Sequence, residues 1–270
     1  MTTYVYGITR STVPDPVAGA DRDGGAGTVD GVGDPPHRVR VLREGDLAAV
    51  VSDCPAGLRP KRRDLLAHQR VLAAVARTTP VLPLRFGSVS ADDSRIRATL
   101  AEHAELYREQ LAALADRDEY NVKAGHREEA VLRRILAENP EIQALSEAIR
   151  QRGGEATYQD RVQLGQLIAE AVRDHEIRDA HAMEEALAPF AERHCWGPVG
   201  AGRLVNLSFL VPRDDVDRFL AALERVKHAS PHLEIHTSGA LPPYSFVRTS
   251  ETVDAAGTPR TQLTPQGERP

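Results

Sequence analysis

The sequence predicts an α+β fold of two ferredoxin-like (βαββαβ-type) domains, the second with extra helices inserted, plus a flexible C-terminal tail. Three observations predict it. The second half runs strand, helices, strand, strand, helix, strand, which is the split βαββαβ plan with a long first crossover. The first half runs strand, loop, strand, strand, helix, strand, helix, the same plan with a Gly-rich segment in place of that crossover. The chain has 270 residues, 41% hydrophobic and 27% charged, enough for two ordinary cores. The expected domains are residues 1–116 and 117–249, with a mobile loop over 11–36, a helical insertion over 126–188 and a disordered tail over 250–270.

Taken in order, Thr3 to Ile8 is β-branched and aromatic and reads as a strand. Ser11 to Pro36 is crowded with Gly, Asp and Pro, with too little apolar surface to offset the entropy of ordering it. Arg38 to Leu42 and Leu47 to Ser52 form a hairpin around Glu44-Gly45-Asp46. Lys61 to Arg77 is a helix with Leu65, Leu72, Val75 and Ala76 on one face. Pro80 ends it, and Val81 to Phe86 is an apolar strand. Ser90 and Asp93 fit a capping box, opening a helix with Ile96, Leu100, Ala104, Tyr107, Leu111 and Leu114 at steps of three and four.

Glu119 to Ala124 is the first strand of the second domain. The helical stretch from His126 to Ala188 is punctuated by Asn139-Pro140 and by Gly153-Gly154. A hairpin over Phe190 to Val211 turns at Gly197 to Gly202. Its second arm places Val205, Leu207, Phe209 and Val211 on one side, and Asn206 and Ser208 on the other. The helix from Arg213 to Lys227 gathers Val216, Phe219, Leu220, Leu223 and Val226, and Leu233 to Thr237 and Tyr244 to Val247 are short last strands.

Composition excludes several function classes. A net charge of -5 does not draw the chain to polyanions, so nucleic acid is not expected as a partner. Two separated cysteines, Cys54 and Cys195, fit a reducing cytoplasm. Met1 to Arg10 has no apolar signal core, and no apolar run reaches the roughly 18 residues of a membrane span. The chain is therefore expected to be cytoplasmic.

Motifs for chemistry are mostly wanting. Gly24 to Gly33 lacks G-x-G-x-x-G and a helix directly after it. His175 and His181 are six residues apart, a rotation of roughly 240° that puts their imidazoles on different helix faces. His194 and Cys195 are strand neighbours and point oppositely. Phe86 to Ser90 lacks the second Gly of a nucleophile elbow. Asp214-Asp215 suits a helix N-terminus, and Lys61-Arg62-Arg63 a solvated one. Two polar residues stand out: His68, on the apolar side of its helix, and Arg85, at the end of its strand. Partly buried, they would need partners, and a hydrogen-bonded pair locking helix to strand is the plainer reading beside a ligand contact. No cofactor, metal or catalytic residue is expected.

Six segments together carry a resemblance. They are Tyr4-Val5-Tyr6-Gly7-Ile8, His68-Gln69-Arg70-Val71-Leu72, Val81-Leu82-Pro83-Leu84-Arg85-Phe86-Gly87-Ser88-Val89, Glu119 to Lys123, Leu204 to Val211 with Phe219, and Pro242-Pro243-Tyr244-Ser245-Phe246-Val247. In order and spacing they resemble the gas vesicle protein F/L family, with its L-P-L-R-F-G-T-V and P-P-Y-S-F signatures. The family's G-P-W before P-P-Y is replaced here by Gly239-Ala240-Leu241. The resemblance implies a two-domain α+β fold and a non-enzymatic accessory role in gas vesicle assembly. It also implies binding to the hydrophobic major shell protein, and to other accessory proteins. Tyr4, Tyr6, Asn206 and Ser208 are candidates for the partner face, because Tyr buries apolar area while keeping a polar tip. Phe86, Pro242, Pro243, Tyr244 and Phe246 join them as motif residues of structure or interface. Two alternatives remain open at this point: a cofactor-independent enzyme using His68 and Arg85 in a pocket, and a small-molecule-sensing domain.

Overall fold

The computed structural model describes residues 2–15, 17–20, 26–153, 158–200 and 202–248. The expected tail over 250–270 lies outside them. The chain divides into two compact units, Met1–Ala115 with Pro242–Pro270, and Asp116–Leu241. The second unit therefore ends at Leu241, and residues 242–248 belong with the first, not with the second domain where the sequence reading placed them. Both units are antiparallel sheets with helices, a mixed α and β architecture.

In the first unit β1 (Thr3–Arg10) pairs antiparallel with β5 (Leu47–Asp53), which pairs with β4 (Arg40–Glu44). On its other side β1 pairs with β6 (Val81–Pro83) and then with β7 (Val89–Ser90). The expected strand over Val81 to Phe86 is thus shorter. Leu84 N–H still donates to Tyr6 O and Val5 N–H to Ser88 O, so residues 84–88 form a loop pinned at both ends to β1. Gly87, at φ 93°, supplies the left-handed turn. Gly7 is small for a different reason: a Cβ there would lie 2.8 Å from Leu82 O and 2.9 Å from Leu72 Cδ2.

Nearly every residue of β1 and β5 is buried, because both faces of the sheet are covered. Helix α1 (Arg62–Ala76) covers one face, burying Ala67, His68, Val71, Leu72 and Val75. Leu65, expected on that face, is 37% exposed beside Leu66 at 46%. Helices α2 (Asp93–Glu102) and α3 (Ala104–Ala113) pack through Ile96, Leu100 and Leu111, with His103 at their junction, so the expected single helix is two. The cap is Asp92, whose carboxylate accepts from Arg95 N–H at 2.8 Å. Asp93 is instead taken by Arg40 and Thr3, which is why the capping box from Ser90 does not form.

The segment read as a mobile loop over 11–36 does more than connect. Its described part contains β2 (Ala18–Ala20) paired with β3 (Ala26–Thr28), and it delivers Val13, Val17, Val29 and Val32 to the core. Four scattered valines show no period, yet they bury surface once the chain folds back. Tyr244–Phe246 is a single 3-10 turn, not a strand. Two consecutive prolines before it remove the N–H groups a ladder needs.

The second unit starts with β8 (Arg117–His126), flanked by β10 (Val205–Pro212) and β11 (Leu233–Leu241), with β9 (Arg193–Trp196) at the edge beyond β10. Its inserted helices are α4 (Glu128–Glu138), α5 (Pro140–Arg152) and α6 (Tyr158–Leu187), and α7 (Val216–Ala229) links β10 to β11. Asn139 ends α4, its amide donating to Ile135 O at 2.8 Å, and Pro140 opens α5. Tyr120, Val122, Leu207 and Phe209 of the sheet pack with Met183 and Leu187 of α6 and Phe219 and Leu223 of α7. A separate cluster of Val131, Ile135 and Ile142 with Leu164 and Ile168 binds α4 and α5 to the first half of α6. In both units the four main strands lie in the same order across the sheet: β6-β1-β5-β4 and β11-β8-β10-β9.

Candidate functional site

Four of the sequence-selected residues, Tyr4, Tyr6, His68 and Phe86, meet in the first unit's core. Alternation along β1 sends Tyr4 and Tyr6 to the face under α1, and both are fully buried. His68 Nε2 lies 3.1 Å from Leu84 O and Nδ1 lies 2.8 Å from Tyr4 Oη. A carbonyl only accepts, so Nε2 carries the proton and Nδ1 accepts from the Tyr4 hydroxyl. Tyr4 Oη in turn accepts from Gly87 N–H at 3.3 Å. Val32 N–H donates to Tyr6 Oη at 2.9 Å, Tyr6 Oη and Ser52 Oγ are 3.0 Å apart, and Ser52 Oγ donates to Asp53 O. Each polar atom named here has a partner, which is what burial demands. The His68 ring stacks on Tyr6 at 5.5 Å and meets Tyr4 and Phe86 edge-on.

Electrostatics follows from this packing. Burial pushes the Tyr4 hydroxyl well above the ordinary tyrosine range. Burial also raises Tyr6, against the lowering effect of Ser52 and Val32, up to about 12. Burial lowers His68, with Leu84 O pulling the other way. All three groups are neutral near pH 7, so the network is a neutral tie between β1, α1 and the 84–88 loop.

Arg85 does not join it. It sits at the outside of the 84–88 loop and is exposed, because Leu84 O, and not Arg85, turns in toward His68. The His68–Arg85 pocket on which an enzyme reading rested is not formed. A cavity of about 370 Å³ does lie in this unit, lined by Val5, Ile8, Ala49, Ile96, Leu100 and Tyr107, toward α2 and α3, and neither His68 nor Arg85 lines it.

Tyr4 and Tyr6 are likewise removed from any open partner face, since neither has exposed surface. Pro242 and Pro243 are buried, Phe246 is 5% exposed, and Tyr244 packs partly buried against the same core as Tyr4. Gln110 holds the segment after them through two bonds to the Arg248 backbone, 3.0 Å to its O and 2.6 Å from its N. Asn206 and Ser208 are in the second unit. Asn121 Nδ2 donates to Asn206 Oδ1 at 2.9 Å and to Ser208 Oγ at 3.1 Å, Asn206 Nδ2 donates to Pro198 O, and Ser208 is buried. Of the proposed partner face, only Asn206 keeps some exposure.

Among the described residues, His126, Asp179 and His232 form a group of ligand types close enough to hold a metal ion. Its members are 53 residues apart in each step, far beyond the short helical spacings by which the sequence signals a metal site. No local spacing could have signalled it.

Comparison with known proteins accounts for the motif series. The family described as gas vesicle synthesis protein GvpL/GvpF matches residues 2–248. The chain is 50% identical over 247 residues to gas vesicle protein F of Streptomyces sp. (strain CB03234), covering 92% of this chain and 100% of that protein. It is 28% identical over 270 residues to gas vesicle protein L of the same strain, covering 92% and 93%. Its fold resembles the crystal structure of GvpF from Anabaena sp. PCC7120, with TM-score 0.70, 23% identity and 92% and 99% of the two chains covered. It also resembles that of GvpF from Microcystis aeruginosa, with TM-score 0.68, 19% identity and the same coverage.

Proposed function

Because the chain belongs to the gas vesicle synthesis protein GvpL/GvpF family, we propose that it is an F-type accessory protein that binds the hydrophobic major shell protein and assists shell formation. The observation that carries this reading is the family match over residues 2–248, which takes in both units. Identity of 50% to an F protein against 28% to an L protein of one strain supports the F branch. A very hydrophobic shell subunit would aggregate before assembly unless a partner covered it. The shared strand order of the two sheets supports the further proposal that both units are variants of one ferredoxin-like plan.

With Tyr4, Tyr6 and Ser208 buried, the contact falls elsewhere. We place it on the outer face of α1, where exposed Leu65 and Leu66 are flanked by exposed Arg62, Arg70 and Arg77. The acidic residue of this helix, Asp64, faces inward. Such a face suits an apolar partner segment carrying carboxylates. Its work is done at the vesicle. No helix among the described residues is long and apolar enough to cross a membrane.

The test is co-purification with the major shell protein and the other vesicle accessory proteins of the same genome. Selective capture of the shell protein is expected, and its loss in a Leu65→Asp, Leu66→Asp variant whose melting temperature is unchanged. Capture of accessory proteins alone would replace the shell-binding role with a scaffold role. Undiminished capture by the double variant would move the contact off α1.

A further inference from the structure

The second unit holds a polar cluster that its core packing does not explain. His126 closes β8, Asp179 lies on α6, and His232 stands in the turn just before β11. Their side chains are 8%, 12% and 9% exposed. Asp179 Oδ2 is 2.8 Å from His126 Nε2 and 2.9 Å from His232 Nε2. One ligand atom of each residue lies within 4.8 Å of the other two.

Hydrogen bonding alone leaves this cluster unsettled. A carboxylate only accepts, so both contacts require a proton on Nε2. Yet His232 Nε2 is also 2.9 Å from Arg134 Nη1, which only donates. One nitrogen cannot satisfy both, and the guanidinium's other acceptor on the ring, Nδ1, is farther off at 3.4 Å. His126 Nδ1, in addition, is buried without a hydrogen-bond partner. The first unit's network has no such conflict.

We propose that His126, Asp179 and His232 are the ligands of a divalent transition-metal ion of the zinc class, and that Arg134 is the cation competing for the same place. Two imidazoles and one carboxylate are the ligand set such ions take, with a fourth position left to water. Metal bonds of about 2.0–2.2 Å place ligand atoms roughly 3.4 Å apart, so the two contacts to Oδ2 open by about half an ångström. The proton on each Nε2 moves to Nδ1. Arg134 is 42% exposed and already holds Glu138 at 2.7 Å, so it can leave without losing every partner. The ion would staple the end of β8, α6 and the turn before β11, segments that approach only in the folded unit.

The full chain, stripped with a chelator and dialysed, is titrated with Co²⁺ and followed by visible absorption and by melting temperature. One equivalent is expected to bind, with the intense visible bands of tetrahedral coordination and a raised melting temperature, and Zn²⁺ is expected to displace it. Asp179→Asn and His232→Gln should abolish the bands, while His181→Gln, on an exposed side chain of the same helix, should keep them. Arg134→Met should tighten binding several-fold, an effect opposite to that of removing a merely structural ion pair. This variant alters a half-exposed side chain, so it reports even where the ligand variants fold poorly. Absence of stoichiometric Co²⁺ binding by the wild-type chain would overturn the proposal. So would bands that survive Asp179→Asn, or weaker binding by Arg134→Met.

Discussion

In the first unit, His68 sits among neutral hydroxyls and a backbone carbonyl, and every proton has one place to go. In the second, His126 and His232 crowd onto one ionised carboxylate with a guanidinium alongside. Both sets tie a helix to a sheet. They differ in what burial costs them. A neutral, fully paired network loses little on leaving water and fixes one arrangement of its elements. A charged cluster with competing donors pays for desolvation without a unique hydrogen-bond pattern. The first is built to hold β1, α1 and the 84–88 loop in place. The second is built to accept a ligand.

The sharpest way to break that contrast is His68→Ala. It removes two hydrogen bonds, leaves Tyr4 Oη without its acceptor and opens a cavity, so unfolding free energy should fall by about 3 kcal/mol or more in urea denaturation. A loss under about 1 kcal/mol would mean that the network is not what holds the unit. Tyr6→Phe should cost about 2 kcal/mol, because Val32 N–H and Ser52 Oγ lose a shared buried partner. In metal-free protein, His232→Gln should cost only about 1 kcal/mol, since Asp179 keeps His126 and gains Arg134 outright. If it equals His68→Ala, the two clusters are equally structural and the contrast fails.

The pH response sharpens the comparison further. Burial holds folded His68 below its ordinary value, while the unfolded chain takes up its proton below about pH 6.5. The unfolded state therefore binds more protons in that window. This contribution to stability is fully present above about pH 6.5 and is lost as pH falls toward the folded value. Urea midpoints measured across that range should show a slope that flattens in His68→Gln; an unchanged slope would assign it to another group. The smallest effect belongs to Arg85→Ala. Its side chain is exposed, so stability should move by less than about 0.5 kcal/mol, by thermal melting. A larger loss would bring Arg85 back into the His68 network.

These contrasts also show how far a sequence speaks. His68 was legible, because a polar residue on an apolar helix face must find partners. Arg85 is exposed because the ladder ends at Pro83, short of the strand expected to run to Phe86, and the chain leaves it there for a loop. Leu65 was placed inside by helical periodicity, yet the buried stripe of α1 runs through Asp64, Ala67, His68 and Val71. Val13, Val17, Val29 and Val32 give no signal in a Gly- and Pro-rich stretch without a period, yet they pack in the core, and Val32 N–H donates to the Tyr6 hydroxyl.

By itself the sequence determined the alternation of strands and helices, the breaks at Pro140 and Gly153, and the motif series that marks the family. These are local properties, fixed by propensity, periodicity and the backbone limits of Pro and Gly. Only the tertiary structure decided that residues 242–248 return to the first unit, that Tyr4 and Tyr6 face inward, and that His126, Asp179 and His232 meet. Each depends on which distant segments come together, and contacts between residues 53 or more positions apart leave no spacing in the chain to be read.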